Sequence, residues 1–386
     1  MSVTAARGFR AAGVAAGLKP SGRPDVAVVV NDGPSRAAAA VFTSNRCKAN
    51  PVLWSQEAIK AGTASAVVLN SGGANCYTGA EGFTTTHLTA ELMAERLGVG
   101  AVEVQVCSTG LIGLSAAGTW RERLLDGVSK TLDALDDDGG PDAAAAIMTT
   151  DTVSKQAVHR GDGFVVGGMA KGAGMLAPAL ATMLVVITTD AEVDAATADA
   201  ALREAVRTTF DRLDSDGCQS TNDTVLLMAS GASGVEPELV AFTETVRSVC
   251  ADLALQLLRD AEGADHDIAI TVVNAASEDD AIEVGRSVAR SNLFKAAIFG
   301  KDPNWGRILA SVGTTQAVFD PADLDVALND VWVCRGSGPA ESPTLVDLEQ
   351  RDVTVTIDLK AGDVSATIWT NDLTHAYVHE NSAYST

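Results

Sequence analysis

The sequence has few aromatic residues and little positive charge. Aromatic residues make up 4% of the 386 residues, so a buried core must be built mainly from Ala, Val, Leu and Ile. The 50 acidic residues outnumber the 28 basic ones and leave a net charge of −22. This excess of negative charge argues against nucleic acid or an anionic membrane surface as a partner.

Cysteine pairs, histidine clusters and long apolar segments are also missing. The six cysteines are widely spaced without a C-x-x-C pair, and the five histidines show no ligand spacing to them. We therefore predict reduced thiols and no metal site. No apolar run approaches the roughly 18 residues of a membrane-spanning helix. Residues 1–19 lack the continuous apolar segment of a signal peptide, so the prediction is a cytoplasmic protein without a membrane partner.

The most informative stretch is residues 167–190, in which a glycine-rich half precedes an apolar half. The glycine-rich half contains one lysine, Lys171, and predicts a loop, whereas the β-branched run at 185–189 predicts a buried strand. The glycines match neither G-x-x-x-x-G-K-[ST] nor G-x-G-x-x-G. Composition alone therefore leaves open a plain loop entering a core strand and a loop that approaches a phosphate.

Periodicity elsewhere predicts mixed strands and helices. Residues 26–30 and 37–43 predict a hairpin or two neighbouring strands, and residues 352–359 and 364–370 predict a second hairpin. Apolar residues recur every three or four positions in 237–260, which is typical of an amphipathic helix. Asp190 is predicted to cap a helix that starts at the next residue.

Several polar segments fit either a functional or an ordinary structural role. Ser-Thr-Gly after the predicted strand 103–107 offers N–H groups and a hydroxyl to an oxyanion, but it is also a common turn. Two asparagines in the loop 70–76 fit an active-site wall or turn positions. Residues 149–152 fit a polar pocket or a helix cap, and Glu262 after a helix end fits solvated surface.

Taken together, these motifs resemble one family. Residues 171–184 read Lys-Gly-x-Gly-Met-x-x-Pro-x-x-Ala-Thr-Met-Leu, which resembles the self-cleavage segment of the ornithine acetyltransferases, also called glutamate N-acetyltransferases. The resemblance covers nearly the whole chain through Cys-Ser-Thr-Gly at 107–110, Thr-Thr-Asp-Thr at 149–152, Ser-Thr-Asn-Asp-Thr at 220–224, Glu-Gly-Ala at 262–264 and Asn-Ser-x-Tyr-Ser at 381–385.

The resemblance implies a precursor that cuts itself between Ala181 and Thr182. The products would be residues 1–181 and residues 182–386, and Thr182 would become an N-terminal nucleophile. This chemistry suits the residue type, because a threonine hydroxyl needs an adjacent base and a free α-amine on the same residue supplies one. The unperturbed pKa of such an amine is about 7.7–8.

The resemblance also implies the remaining site residues and the reaction. Thr109 and Gly110 would form the oxyanion hole. The substrate-binding residues would be Thr149, Lys171, Thr182, Glu262, Asn381 and Thr386. Acetyl would pass from N2-acetyl-L-ornithine to L-glutamate through an acetyl-threonine, without a cofactor. Some family members also accept acetyl-CoA as a donor.

The implied fold is α/β: a two-sheet sandwich flanked by helices, laid out like N-terminal-nucleophile enzymes, with a smaller C-terminal region. Family membership would also imply a heterotetramer of two copies of each fragment. Two alternatives stay open. One is a related self-cleaving amidohydrolase or aminopeptidase, whose acyl acceptor is water. The other is an uncleaved nucleotide-binding module that uses the glycine loops near residues 72 and 172.

Overall fold

The computed structural model describes residues 2–114, 116–175 and 183–383. The described strands are β1 (Phe9–Val14), β2 (Val26–Asn31), β3 (Ala38–Phe42), β4 (Ala66–Asn70), β5 (Val104–Ser108), β6 (Lys155–Arg160), β7 (Val165–Lys171), β8 (Leu184–Thr189), β9 (Thr224–Ala229), β10 (Asp267–Ala275), β11 (Asp325–Leu328), β12 (Val331–Arg335), β13 (Gly338–Pro339), β14 (Asp352–Asp358) and β15 (Val364–Asn371). The described α-helices are α1 (Asn50–Ala58), α2 (Gly79–Leu97), α3 (Thr119–Asp133), α4 (Gly140–Ala146), α5 (Ala195–Arg207), α6 (Leu239–Arg259), α7 (Glu278–Ala289), α8 (Asn292–Phe299), α9 (Trp305–Val312) and α10 (His375–Ala383).

Two sheets pack face to face at the centre of the molecule. One has the strand order β1-β2-β4-β5, and the other has the order β3-β9-β8-β7-β6. Val29 and Leu69 of the first sheet share one buried cluster with Val186 and Leu226 of the second. Strands β2, β4, β8 and β9 are buried along their whole length, as expected for strands covered on both faces.

Helices cover the outer face of each central sheet. Leu202 of α5 and Leu253 of α6 pack with Val185 of β8, whose side chain faces away from the sandwich interior. Met93 of α2 and Val128 of α3 belong to the cluster on the other sheet. The layers are therefore helix, sheet, sheet, helix, which confirms the predicted two-sheet sandwich flanked by helices.

The smaller C-terminal region has a sheet and a core of its own. Its six strands have the order β13-β12-β11-β14-β10-β15, and Ile270 of β10 packs with Val284 of α7 and Ile308 of α9. The predicted hairpin of β14 and β15 is wrong, because β10 lies between them. It runs parallel to β14 and antiparallel to β15. Because β10 lies far before β14 and β15 in the sequence, the alternation of residues within 352–370 cannot reveal that β10 separates the two strands.

Strands β2 and β3 belong to different sheets, so the prediction that they pair is wrong. The Asn31 side chain braces the crossing, because its Nδ2 donates to Ser35 O at 3.0 Å and to Ala229 O at 3.1 Å. Ala229 ends β9 in the opposite sheet. The asparagine thus connects the two sheets at the point where the chain passes from one to the other.

Two further local predictions need correction. Helix α5 is capped by Asp194, whose carboxylate accepts the Thr197 N–H at 2.7 Å, and Asp190 instead accepts the Val165 N–H at 2.8 Å. Much of the predicted glycine-rich loop is strand β7. A Cβ added at Gly167 would lie 2.3 Å from Ser2 O, so this glycine lets the N-terminal segment cross the strand closely. The predicted buried strand after it is confirmed as β8.

Candidate active site

One pocket gathers most of the predicted site residues. Its lining includes Thr109, Gly110, Thr149, Lys171, Glu262 and Asn381. These six residues come from the end of β5, the loop after α4, the end of β7, the loop after α6, and α10. The predicted residues Ala181, Thr182 and Thr386 lie outside the described residues.

The turn after β5 presents a hydroxyl and an N–H group to this pocket. The Thr109 N–H already donates to Asn70 O at 2.8 Å, so the group that Thr109 can offer a ligand is its hydroxyl. Gly110 has φ +119°, and an added Cβ would lie 2.8 Å from Gly73 N. Only glycine therefore fits this turn. Within the described part of the chain, no carbonyl accepts the Gly110 N–H.

The two asparagines of the loop 70–76 act as structural braces. Asn70 Nδ2 donates to Gly73 O at 3.0 Å, and its Oδ1 accepts the Ser108 hydroxyl at 2.6 Å. Asn75 Nδ2 donates to Gly82 O at 2.9 Å. These bonds favour the turn interpretation, and the residue of this loop that lines the pocket is Ala74.

Lys171 is a buried cation at the end of β7, with 1% of its surface exposed. Its Nζ lies 3.4 Å from Thr109 Oγ1 and 4.0 Å from Asp151 Oδ2. Burial lowers the pKa of Lys171, while the negative charges of Asp151 and Glu262 oppose that shift. The lysine is thus held among carboxyl groups beside the turn that contains Thr109 and Gly110.

Asp151 stays ionised despite its burial. Burial alone would raise its pKa, but the charges of Lys171 and Lys155 outweigh that cost and lower the pKa to about 2. Its Oδ2 accepts the Thr149 N–H at 2.9 Å, and its Oδ1 accepts the Gly172 N–H at 2.6 Å. One carboxylate therefore holds two separate backbone segments that carry pocket residues, one at Thr149 and the other next to Lys171.

Glu262 faces the pocket from the loop that follows α6. Its N–H donates to Ala173 O at 2.9 Å. A Cβ added at Gly174 would lie 2.7 Å from Glu262 Oε2, so the carboxylate rests directly against the Gly174 backbone. Asn381 lines the same pocket from α10, where its Nδ2 donates to Tyr377 O at 3.0 Å.

Within the described ranges, no cluster of three or more His, Cys, Asp or Glu side chains is suited to a metal ion. No helix among these residues is long and apolar enough to span a membrane.

Comparison with known proteins identifies the family. The model of the ArgJ family matches residues 10–386. The chain belongs to the ArgJ family. This assignment confirms the resemblance to ornithine acetyltransferases drawn from the motifs, and it confirms that the protein is an enzyme.

Curated ArgJ relatives match along essentially their full length. The arginine biosynthesis bifunctional protein ArgJ of Streptomyces coelicolor is 62% identical, with 100% of both chains covered. The protein of the same name from Thermobifida fusca is 61% identical, again over 100% of both chains. That from Mycobacterium tuberculosis is 53% identical, over 99% of this chain and 96% of its own. The chain is therefore an arginine-biosynthesis enzyme.

Two solved structures of similar proteins align with about half of the chain. The ornithine acetyltransferase of Mycobacterium tuberculosis, solved with ornithine, is 52% identical with a TM-score of 0.45, and covers 47% of this chain and 96% of that one. The ArgJ protein of Bacillus halodurans is 34% identical with a TM-score of 0.49, and covers 51% of this chain and 97% of that one.

The ArgJ motif Ser-Thr-Asn-Asp-Thr contributes residues that sequence analysis assigned no role. Ser220, Thr221 and Asn222 line the pocket. Asn222 Nδ2 donates to Ala74 O at 2.6 Å and to Ser108 O at 2.8 Å, so it joins the loops that follow β4 and β5. The one sequence feature that could have identified these residues was the resemblance of the segment 220–224 to the family motif. A single Asn in a polar segment has no spacing pattern that would predict its role.

Asp223 supplies the one carboxyl group of this motif, and that group is fully buried. It is 0% exposed, and its Oδ1 accepts the Met183 N–H at 2.9 Å. Burial raises the pKa of Asp223 well above its ordinary value. A carboxyl group that favours its protonated form therefore holds the backbone immediately after the predicted nucleophile position.

Proposed function

We propose that the protein is a glutamate N-acetyltransferase, which moves acetyl from N2-acetyl-L-ornithine to L-glutamate. The observation that carries this proposal is the single pocket, which contains six residues predicted separately from the family motifs. The assignment to arginine biosynthesis supports the same reaction, because both amino acids share an α-carboxylate and an α-nitrogen that exchanges the acetyl group.

The polarity of the pocket suits an α-amino acid. Lys171 supplies a positive charge for the α-carboxylate, and Glu262 supplies a negative charge for an amino group. Thr149, Asn381 and Thr386 are the proposed hydrogen-bonding partners of the rest of the substrate. A cation and an anion in one pocket match the two charges of a zwitterion.

The proposed transfer runs in two balanced halves. The Thr182 hydroxyl attacks the acetyl carbonyl carbon while the Thr182 amine takes its proton. The carbon–nitrogen bond then breaks, ornithine leaves with that proton, and an acetyl ester remains on Thr182. The neutral glutamate amine attacks the ester carbon, and the bond from that carbon to the Thr182 oxygen breaks. The proton lost by the glutamate amine passes through the Thr182 amine to this oxygen, which releases N-acetylglutamate and restores the threonine. These steps need no cofactor.

The turn after β5 is the proposed oxyanion hole. The Gly110 N–H and the Thr109 hydroxyl are donors that can face the negative oxygen of each tetrahedral intermediate. Removal of one such donor commonly costs about 100- to 1,000-fold in kcat. The nearby Lys171 Nζ adds positive charge on the same side of the pocket.

We also propose that the chain matures by cleavage between Ala181 and Thr182. The Thr182 hydroxyl would attack the Ala181 carbonyl, and water would then hydrolyse the resulting ester. The fragments 1–181 and 182–386 would stay together, because β7 before the site pairs with β8 after it along seven-residue and six-residue strands of one sheet. Two such pairs would form the proposed heterotetramer, which light scattering of the purified protein would test.

The decisive experiment compares wild type with Thr182→Ala and Thr182→Ser. Intact mass of wild type should reveal two fragments of similar size, the second beginning at Thr182. Thr182→Ala should remain one chain of 39.6 kDa without transferase activity, whereas Thr182→Ser keeps a hydroxyl and should still be cut. A cleaved and active Thr182→Ala protein would contradict the proposal.

A second acetyl donor deserves a separate assay, because the curated relatives are named bifunctional. We propose that acetyl-CoA also acetylates glutamate on this enzyme. N-acetylglutamate should then form from acetyl-CoA and glutamate without acetylornithine. A hydrolase would instead release acetate at a rate independent of glutamate.

The nucleotide-binding alternative gains no support, since Gly72 packs against Leu18 and residues 167–171 form a strand and not a glycine loop.

A further inference from the structure

A buried network of charged side chains lies beneath the pocket. Lys155 is 0% exposed, and its Nζ donates to Asp151 Oδ1 and to Asp260 Oδ2, each at 2.6 Å. Asp260 also accepts the Thr152 N–H at 3.0 Å. A buried ion pair needs such close contacts, because the cost of removing charges from water is otherwise not recovered.

Each end of this network contacts a segment that carries a proposed binding residue. Asp151 accepts the N–H groups of Thr149 and of Gly172, the residue after Lys171. Asp260 lies two residues before Glu262 on the loop after α6. Lys155 joins the two carboxylates, so three segments distant in the chain depend on one set of buried charges.

We propose that Asp151 is a positioning residue, whose carboxylate orients Thr149 and Lys171 toward the substrate, and that Lys155 and Asp260 extend this control to the loop carrying Glu262. The inference rests on the proposed function of the pocket. Asp151 does not itself line the pocket, and it acts through the groups that it holds.

The network also controls the charge of Lys171. The titratable groups that face Lys171 are Asp151, Lys155, Asp223, Glu262 and Lys19, and of these Asp223 favours its protonated form. Asp151 favours the protonated amine, whereas Lys155 and Lys19 oppose it. Replacing Asp151 by a neutral residue would remove a negative charge that favours the protonated Lys171 amine. The positive charge of Lys155 would remain, so the pKa of Lys171 would fall further. A neutral Lys171 could no longer attract an α-carboxylate.

The test is the pH dependence of acetyl transfer by Asp151→Asn. We expect KM for both acetylornithine and glutamate to rise by about 10- to 100-fold, as expected for weakened hydrogen bonds to a charged group. The fall of kcat/KM at alkaline pH should begin at lower pH than in wild type. If Asp151 had a purely structural role, its replacement would lower the amount of active enzyme but would not change the pH at which kcat/KM falls on the alkaline side of the profile (the alkaline limb).

The matched control is Asp252→Asn, which removes an exposed carboxylate on α6 paired with His159 of β6 at 2.7 Å. It should keep the KM values and the pH profile of wild type. If wild type transfers no acetyl group, the proposed function fails. If wild type is active and Asp151→Asn keeps both its KM values and its alkaline limb, the positioning role is overturned.

A second variant decides the outcome if Asp151→Asn does not fold, as judged by circular dichroism and thermal unfolding. Asp260→Asn removes the outer carboxylate but keeps Asp151 in contact with Lys155. It should move the alkaline limb in the same direction by a smaller amount. A folded Asp260→Asn enzyme with the wild-type pH profile would then overturn the inference.

Discussion

Replacing Gly174 by alanine should damage the pocket without weakening the fold. The added Cβ would meet Glu262 Oε2 at 2.7 Å and Glu262 Cδ at 2.8 Å, well inside ordinary contact distance. The carboxylate must therefore retreat by several tenths of an ångström. It can do so, because it is the end of a flexible side chain, and Gly174 has no positive φ that alanine would strain.

The expected loss follows from the proposed role of Glu262. A hydrogen bond to a charged group contributes about 1.5–3 kcal/mol, so its loss should lower kcat/KM for acetylornithine by about 10- to 100-fold. The midpoint of thermal unfolding should stay the same or rise slightly, since alanine restricts the unfolded chain more than glycine. Steady-state transfer assays and thermal unfolding of fully cleaved protein would measure both quantities.

Two comparisons make the Gly174→Ala result decisive. Gly306→Ala is the control, because its added Cβ would meet Asn304 Oδ1 at an ordinary 3.5 Å, and it should leave activity unchanged. In a Glu262→Gln background, Gly174→Ala should cost much less than it does alone, because both changes remove the same interaction. Additive losses, or full activity of the single variant, would refute the assignment of Glu262 to the substrate.

Two further predictions concern stability. Burial raises the pKa of Asp214 to about 6 despite Arg290. Its folded form therefore holds a proton that the unfolded chain releases, and the contribution of Asp214 to wild-type stability should fall as pH rises from about 4 to 6. Over that window Asp214→Asn should gain up to about 3 kcal/mol relative to wild type in denaturant unfolding, and a constant difference would contradict this reasoning. Gly167→Ala should cost about 1–3 kcal/mol, because its Cβ would strike Ser2 O at 2.3 Å; an unchanged midpoint of unfolding would contradict it.

Motifs and local periodicity predicted individual helices and strands, and six residues predicted from the motifs line one pocket. The apolar spacing in 237–260 predicted α6, and the β-branched run predicted β8. The Cys-Ser-Thr-Gly and Glu-Gly-Ala segments predicted Thr109 and Glu262 as site residues, and both line the pocket. Such features are local, because the residues that create each pattern are close neighbours in the chain.

Pairing between distant segments could not be predicted in the same way. Strand β10 separates β14 from β15, and β2 and β3 belong to different sheets. Both outcomes depend on which long-range contacts bury the most apolar surface, and a strand with a given alternation can satisfy its hydrogen bonds with many partners.

The sequence by itself determined the family, the residue types of the pocket and several of the helices and strands, because short motifs and local spacing encode these features. Only the tertiary structure decided which polar groups of the pocket remain available to hydrogen-bond a ligand. It showed that the Thr109 N–H is already bonded to Asn70. It also placed the Lys155 amine between Asp151 and Asp260. Burial and the distances between charges arise only when remote segments meet, and they set the electrostatics of the site.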